Sequence, residues 1–278
     1  MNRKQAVLIV ALASILLSLG GFLIKIISVG PFTLVGVRSL VACLVILLWL
    51  GRPHFTWSAP QLVGGVGLLG AQIFYVLATR QTTAANAIFI QYTAPIYVAL
   101  FGIWFLHERA TAVDWLTMAA IGMGMFLFFQ DGFATDSYWG NFYAFLSSIS
   151  FAAFMLCMRK QKDGSTTESV LLGNILAALI GLPFLLQEHP TALEWSGMLL
   201  MGVVQTGIPF VLLALAIKHI TAVESILIQT LEPILNPIWV FMIVGETPTL
   251  LAVIGGFIVV AAVVWRALWA TRVRPAWA

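Results

Sequence analysis

The sequence predicts an all-α integral membrane protein with ten transmembrane helices arranged as two inverted five-helix repeats. Three observations carry this expectation. Hydrophobic residues make up 61% of the 278 and charged residues only 9%, with a mean hydropathy of +1.00; a soluble domain carries roughly a quarter charged residues. Apolar runs of about 20 residues, enough to cross ~30 Å of hydrocarbon, recur along the whole chain. A stretch of the first half also returns in the second at a constant offset and without a gap. Thr83-Ala84, Ile88, Ile90-Gln91, Pro95-Ile96 and Glu108 match Thr221-Ala222, Ile226, Ile228-Gln229, Pro233-Ile234 and Glu246. Self-similarity near half the chain length means duplication, and in so apolar a chain it points to a transporter built from repeats around a central site.

The expected spans are 6–28, 32–50, 61–80, 84–105, 112–130, 139–159, 168–186, 195–217, 221–243 and 249–269. Short polar punctuation separates them, as at Gly51-Arg52-Pro53, Asp131-Gly132, Lys162-Asp163-Gly164 and Glu188-His189-Pro190. The first two runs nearly touch, and Gly30-Pro31 is read as the turn between them. Arg3 and Lys4 precede the first run as in a signal peptide, but the run is too long and has no Ala-x-Ala pattern, so it is read as an uncleaved span. Cys43 and Cys157 lie in apolar runs and read as packed small hydrophobes.

Orientation follows from the basic residues. With the N-terminus inside, the inner segments carry Arg3, Lys4, Arg52, Arg109, Arg159, Lys160, Lys162, Lys218, Arg266, Arg272 and Arg274. The outer side has Arg80 in a loop and Lys25 near a helix end, with Asp131, Asp136, Glu188, Glu194 and Glu246 in its loops. The positive-inside rule therefore predicts cytoplasmic termini and an inner-membrane protein. Tryptophans such as Trp49, Trp104, Trp139 and Trp265 sit near span ends, where interfacial anchors belong. The repeated stretch falls on spans four and nine. An odd number of crossings separates them, so the halves, 1–132 and 133–278, are inverted about an axis in the membrane plane.

The segments 231–247 (LEPILNPIWVFMIVGET) and 91–109 (QYTAPIYVALFGIWFLHER) resemble the matching helices of the drug/metabolite transporter superfamily, EamA type. Pro31, Arg38 and the apolar run around them resemble that family's second helix. The bacterial aromatic-amino-acid exporters are the branch it is most similar to. The resemblance implies a secondary carrier that exports small metabolites. The halves differ chemically: His107-Glu108 and Ala94-Pro95 stand opposite Gly245-Glu246 and Glu232-Pro233.

Polar side chains inside hydrocarbon are costly and usually face the bundle interior. Helical spacing puts Ser225, Gln229, Glu232 and Asn236 on one stripe of span nine, and Ser14, Ser18, Gly21 and Lys25 on one stripe of span one. Gln72, Tyr75 and Thr79 share span three; Asn86, Thr93 and Tyr97 share span four, with Gln91 and Pro95 on another face. Span six offers Tyr143, Ser147 and Ser150, and span eight Gln205 and Thr206. The functional reading makes Gln72, Tyr75, Thr79, Asn86, Tyr97, Ser147, Gln205, Gln229, Glu232 and Asn236 a substrate-binding lining. The alternative is interhelical hydrogen bonding, worth roughly 0.6–2 kcal/mol per bond. Glu232 can couple protons, hold a substrate ammonium, or pair with Arg38 or Lys25. Arg38 is expected to be structural, at the periphery. Pro95, Pro209, Pro233 and Pro237 each remove an intrahelical bond and are expected to act as hinges.

No phosphate-cradling Gly-rich loop, zinc motif or nucleophile elbow occurs in the sequence, so neither ATP coupling nor enzymatic chemistry is expected, and no cofactor or metal. The basic residues are not clustered as nucleic-acid binding requires. The expected function is export of small metabolites, most of all amino acids including aromatic ones, by alternating access through a central cavity. The alternatives are a multidrug or other metabolite exporter of the same fold, or a channel. The expected partners are a small-molecule substrate and the lipid bilayer.

Overall fold

The computed structural model describes residues 1–20, 23, 27–82, 84–129, 137–164, 166–235, 239 and 249–272, the side chains at 84–86, 129, 252 and 270–272 excepted. Lys25, Asp131, Asp136, Asn236, Pro237, Glu246 and the side chain of Asn86 lie outside the described residues. Among the described residues all regular structure is helical. The first half contains α1 (Arg3–Ser18), α2 (Pro31–Leu50), α3 (Ala59–Gln81), α4 (Ala84–Gln91), α5 (Ala94–Phe105) and α6 (Ala112–Phe129). The second contains α7 (Tyr138–Lys160), α8 (Thr166–Leu185), α9 (Ala192–Leu200), a π-helical turn (Met201–Gly207), α10 (Ile208–Ala216), α11 (Ala222–Gln229) and α12 (Leu250–Arg272).

Six helical stretches among the described residues are long and apolar enough to cross a membrane: Pro31–Leu50, Ala59–Gln81, Ala87–Phe105, Tyr138–Lys160, Thr166–Leu185 and Ala192–Ala216. Ala112–Phe128 and Val253–Trp269 are apolar but shorter. Large apolar side chains cover the outside, among them Leu48, Trp104, Leu186 and Phe257. In water such a surface would aggregate; against lipid tails it costs nothing.

Local chemistry starts the helices where the sequence supplies caps. Asn2 with Gln5 and Thr191 with Glu194 form capping boxes on α1 and α9. Thr221 accepts from the Glu224 N–H at the start of α11. Pro31 sits in the first turn of α2, where a missing N–H is harmless, so the expected Gly30-Pro31 turn is the start of a helix. Glu188, from the loop after α8, accepts from the Gly30 N–H at 2.8 Å and the Thr33 hydroxyl at 2.9 Å.

Packing comes in matched pairs. α2 lies on α8, α6 on α12, and α5 meets α11. α3 packs on α7 as α1 packs on α10; α3 also touches α8, as the π-helical turn touches α2. Two crossings bring backbones into contact. A Cβ on Gly36 would fall 2.5 Å from the Gly181 carbonyl carbon, and one on Gly124 would fall 2.8 Å from the Gly255 oxygen. Small residues at such crossings let helices approach without a hydrophobic driving force, which lipid does not supply.

Polar contacts among the loops sort into two ends. At one end Arg3 pairs with Glu224 at 2.9 Å, Arg159 with Glu108 at 2.6 Å and Arg266 with Asp114 at 2.5 Å. Glu108 also accepts from the Ala222 N–H, and Arg159 donates to the carbonyls of Ile217 and Lys218. At the other end Glu188 meets Gly30 and Thr33, Arg80 meets the Val29 carbonyl, and Glu194 meets the Ser28 N–H.

Candidate functional site

The site is built on two helix breaks. α4 ends at Gln91 and α5 begins at Ala94, with Pro95 in its first turn. α11 ends at Gln229, and helix resumes over 231–235 with Pro233 inside. The physical cause is the same in both copies. A helical N–H bonds the carbonyl four residues back, and proline has none. Pro95 therefore frees the carbonyl of Gln91, and Pro233 frees that of Gln229. Tyr92, in the first break, answers the second: its hydroxyl lies 3.1 Å from the Gln229 carbonyl and 2.9 Å from Oε2 of Glu232. One O–H is shared between a freed backbone acceptor and a carboxylate, and it links the two halves.

Beside these breaks lies a cavity of about 90 Å³. A water needs ~10–15 Å³ by this measure, so the cavity holds several. Its polar lining comes from both halves: Arg38 of α2, Gln72 and Tyr75 of α3, Gln91 and Tyr92 at the first break, Gln205 and Thr206 of the π-helical turn, Gln229 and Glu232 at the second break. Leu17, Leu68, Phe151 and Phe210 supply apolar wall. The π-helical turn carries Gln205 inward against Gly20, where a Cβ would fall 2.7 Å from its Nε2. Such a turn inserts an extra residue into a helix and often marks a functional position.

The electrostatics are unusual. Arg38 is 5% exposed and Gln72 7%, and the Arg38 Nη2 donates to the Gln72 Oε1 at 3.2 Å. Ser39 adds a 3.4 Å contact to the same oxygen. The Nε of Arg38 and the Nε2 of Gln72 are buried without a partner. Glu232 is half-buried and lines the same cavity. Arg38 and Glu232 lie within electrostatic reach of each other. Yet the ion pairs among the described residues all lie elsewhere.

Of the sequence-expected lining, the cavity brings together Gln72, Tyr75, Gln205, Gln229 and Glu232. Thr79, Tyr97 and Ser147 are not among its lining residues. Thr79 bonds the Val76 carbonyl of its own helix, Tyr97 packs edge-on against Phe145, and Ser147 bridges the Ala71 carbonyl and the Gln91 amide. Arg38 is the main correction: expected at the periphery, it lies inside, because α2 packs between α8 and the π-helical turn with Arg38 against Gln72. An arginine within an apolar run was itself the signal. Tyr92 went unnoticed because it follows the break, where helical spacing no longer tells which face a residue takes. Among the described residues no cluster of His, Cys, Asp or Glu could hold a metal.

Comparison with known proteins agrees with this architecture. A crystal structure at 20% identity matches with a TM-score of 0.83 over 98% of this chain and 100% of that one, a likeness that concerns the fold. A pseudopaline exporter, CntI, of Pseudomonas aeruginosa is 28% identical over 93% of this chain and 94% of its own. A threonine/homoserine exporter, RhtA, of Escherichia coli is 24% identical over 68% of this chain and 64% of its own. An uncharacterized transporter of Archaeoglobus fulgidus is 26% identical over 72% and 76%. The model of the EamA-like transporter family matches twice, at residues 4–130 and 138–267, so the chain, a multi-pass membrane protein, belongs to that family.

Proposed function

We propose that this protein is a secondary carrier of the cell inner membrane that exports small metabolites, amino acids including aromatic ones foremost, by alternating access. The observation that carries the reading is a polar cavity lined by both halves and flanked by two proline-broken helices. Two halves that share one site can rock about it and open it to either side in turn. The relatives named for pseudopaline and for threonine and homoserine support export of small polar metabolites. In this reading ten spans form two inverted halves, 1–132 and 133–278, with both termini cytoplasmic. The matched packing pairs, the two family matches and the two sets of loop contacts support it. Pro95, Pro209 and Pro233, with Pro237 of the same segment, serve as the hinges.

The test is counterflow. Purified protein in proteoliposomes loaded with unlabelled amino acids should take up the labelled form transiently and saturably, and an imposed pH gradient reveals any coupling. A channel would equilibrate solute without the overshoot. Absence of any saturable exchange across the panel would refute the carrier reading.

A further inference from the structure

We infer that the cavity recognises a zwitterion by its two poles: Arg38 with Gln72 takes a carboxylate, and Glu232 takes an ammonium. This rests on the carrier reading and assigns residues to substrate groups within that site.

The argument starts from cost. A buried charge left unpaired is strongly disfavoured, and removal of a partner from a buried pair is heavily destabilising. Arg38 is buried, yet among the described residues its only hydrogen bond is to the neutral Gln72. Its Nε and the Gln72 Nε2 are buried donors without acceptors. Its Nη1 makes no hydrogen bond among the described residues, and Arg38 lines the cavity. This cluster offers donors and lacks an anion. A carboxylate is the group whose paired oxygens match a guanidinium edge.

Glu232 is the complement. Tyr92 donates to its Oε2, which fixes the carboxylate, while Oε1 has no partner among the described residues. Gln91 and Gln229 line the same cavity. An acceptor fixed on one oxygen and open on the other suits an ammonium. Opposite charges that line one small cavity without pairing hold apart the two halves of a missing dipole. Direct Arg38–Glu232 pairing would cancel both charges and leave the site blind to either pole. An occupant with both groups satisfies both at once, and one that lacks either leaves Arg38 or Glu232 without its counter-charge.

The experiment needs no variant to be decisive. Parent protein in proteoliposomes is assayed for counterflow of labelled L-phenylalanine and L-threonine. The competitors are the free amino acid, its methyl ester, which keeps only the ammonium, and its N-acetyl derivative, which keeps only the carboxylate. Loss of one charged hydrogen-bond partner is worth about 10- to 100-fold, so each blocked form should compete that much more weakly. Arg38→Met should abolish the preference for acid over ester, and Glu232→Gln the preference for free over acetylated amine. Equal competition by blocked and free forms would overturn the two-pole assignment while leaving the carrier intact. So would saturable counterflow of a solute with only one charge or none, and no counterflow of either amino acid. Absence of saturable exchange for every solute would overturn the carrier reading as well.

Discussion

Glu232 and Tyr92 concentrate the consequences of a single missing N–H. Pro233 frees the Gln229 carbonyl, and the Tyr92 hydroxyl serves it and the carboxylate together. Glu232→Gln keeps the size and an acceptor for Tyr92 but removes the charge. If the carboxylate binds substrate, accumulation and exchange should fall together in flux assays, by about 10-fold or more; a proton carrier would lose accumulation alone and keep exchange. Tyr92→Phe strips the cap from a buried carbonyl and should destabilise the fold by about 1–3 kcal/mol in a detergent melt. At this scale the sequence was half legible. Gln72, Tyr75, Gln205, Gln229 and Glu232 were readable because polar residues in apolar runs are rare enough to point inward. Thr79, Tyr97 and Ser147 lie on polar stripes too, but short side chains are satisfied by nearby carbonyls and a tyrosine by packing. Spacing alone does not separate these cases.

Helices in lipid are held by close approach, so the glycine crossings matter more than any apolar side chain. Gly36 against Gly181 joins α2 to α8, and Gly124 against Gly255 joins α6 to α12. Gly36→Leu or Gly255→Leu should cost several kcal/mol and abolish a single cooperative melt, since backbone faces the new side chain and no rotamer escapes it. His107 offers the opposite case. It ends α5 with φ 59, and the N–H of Glu108 reaches back to the Gly102 carbonyl. This left-handed cap normally selects glycine. The matching position of the sequence repeat is Gly245, which lies outside the described residues. His107→Gly should raise stability by about 0.5–1 kcal/mol, measured as a shift in melting midpoint. The helix breaks were legible as prolines; the π-helical turn was not, because the run from Ala192 to Ala216 reads as one uninterrupted apolar helix.

Over the whole molecule, one end is tied by ion pairs and the other by charged side chains bonded to backbone and hydroxyl groups. Arg159 holds Glu108 and the carbonyls of Ile217 and Lys218, spanning the loops after α5 and α10, and Arg3 reaches Glu224 at the start of α11. Both links join the first half to the second. Arg159→Met should cost about 3–5 kcal/mol, because it leaves the Glu108 carboxylate with the Ala222 N–H alone and takes the donor from two carbonyls. Of the expected topology, the duplication is seen in the two family matches, because it is a property of the whole chain and survives local error; the orientation is a proposal that labelling tests. The proposed orientation puts Asp136 outside and Asp163 inside. In a background without Cys43 and Cys157, Asp136→Cys should react with an impermeant thiol reagent in intact cells and Asp163→Cys should not; the reverse would sink the orientation.

The central claim is that one cavity serves both sides of the membrane in turn. The most direct measurement is the accessibility of its wall. Gln205→Cys, in the same cysteine-free background, reports on a residue carried into the cavity by the π-helical turn. In right-side-out and inverted vesicles an impermeant thiol reagent should reach it from both faces, and saturating amino acid should slow both reactions. Labelling from one face only, unchanged by amino acid, would contradict the account.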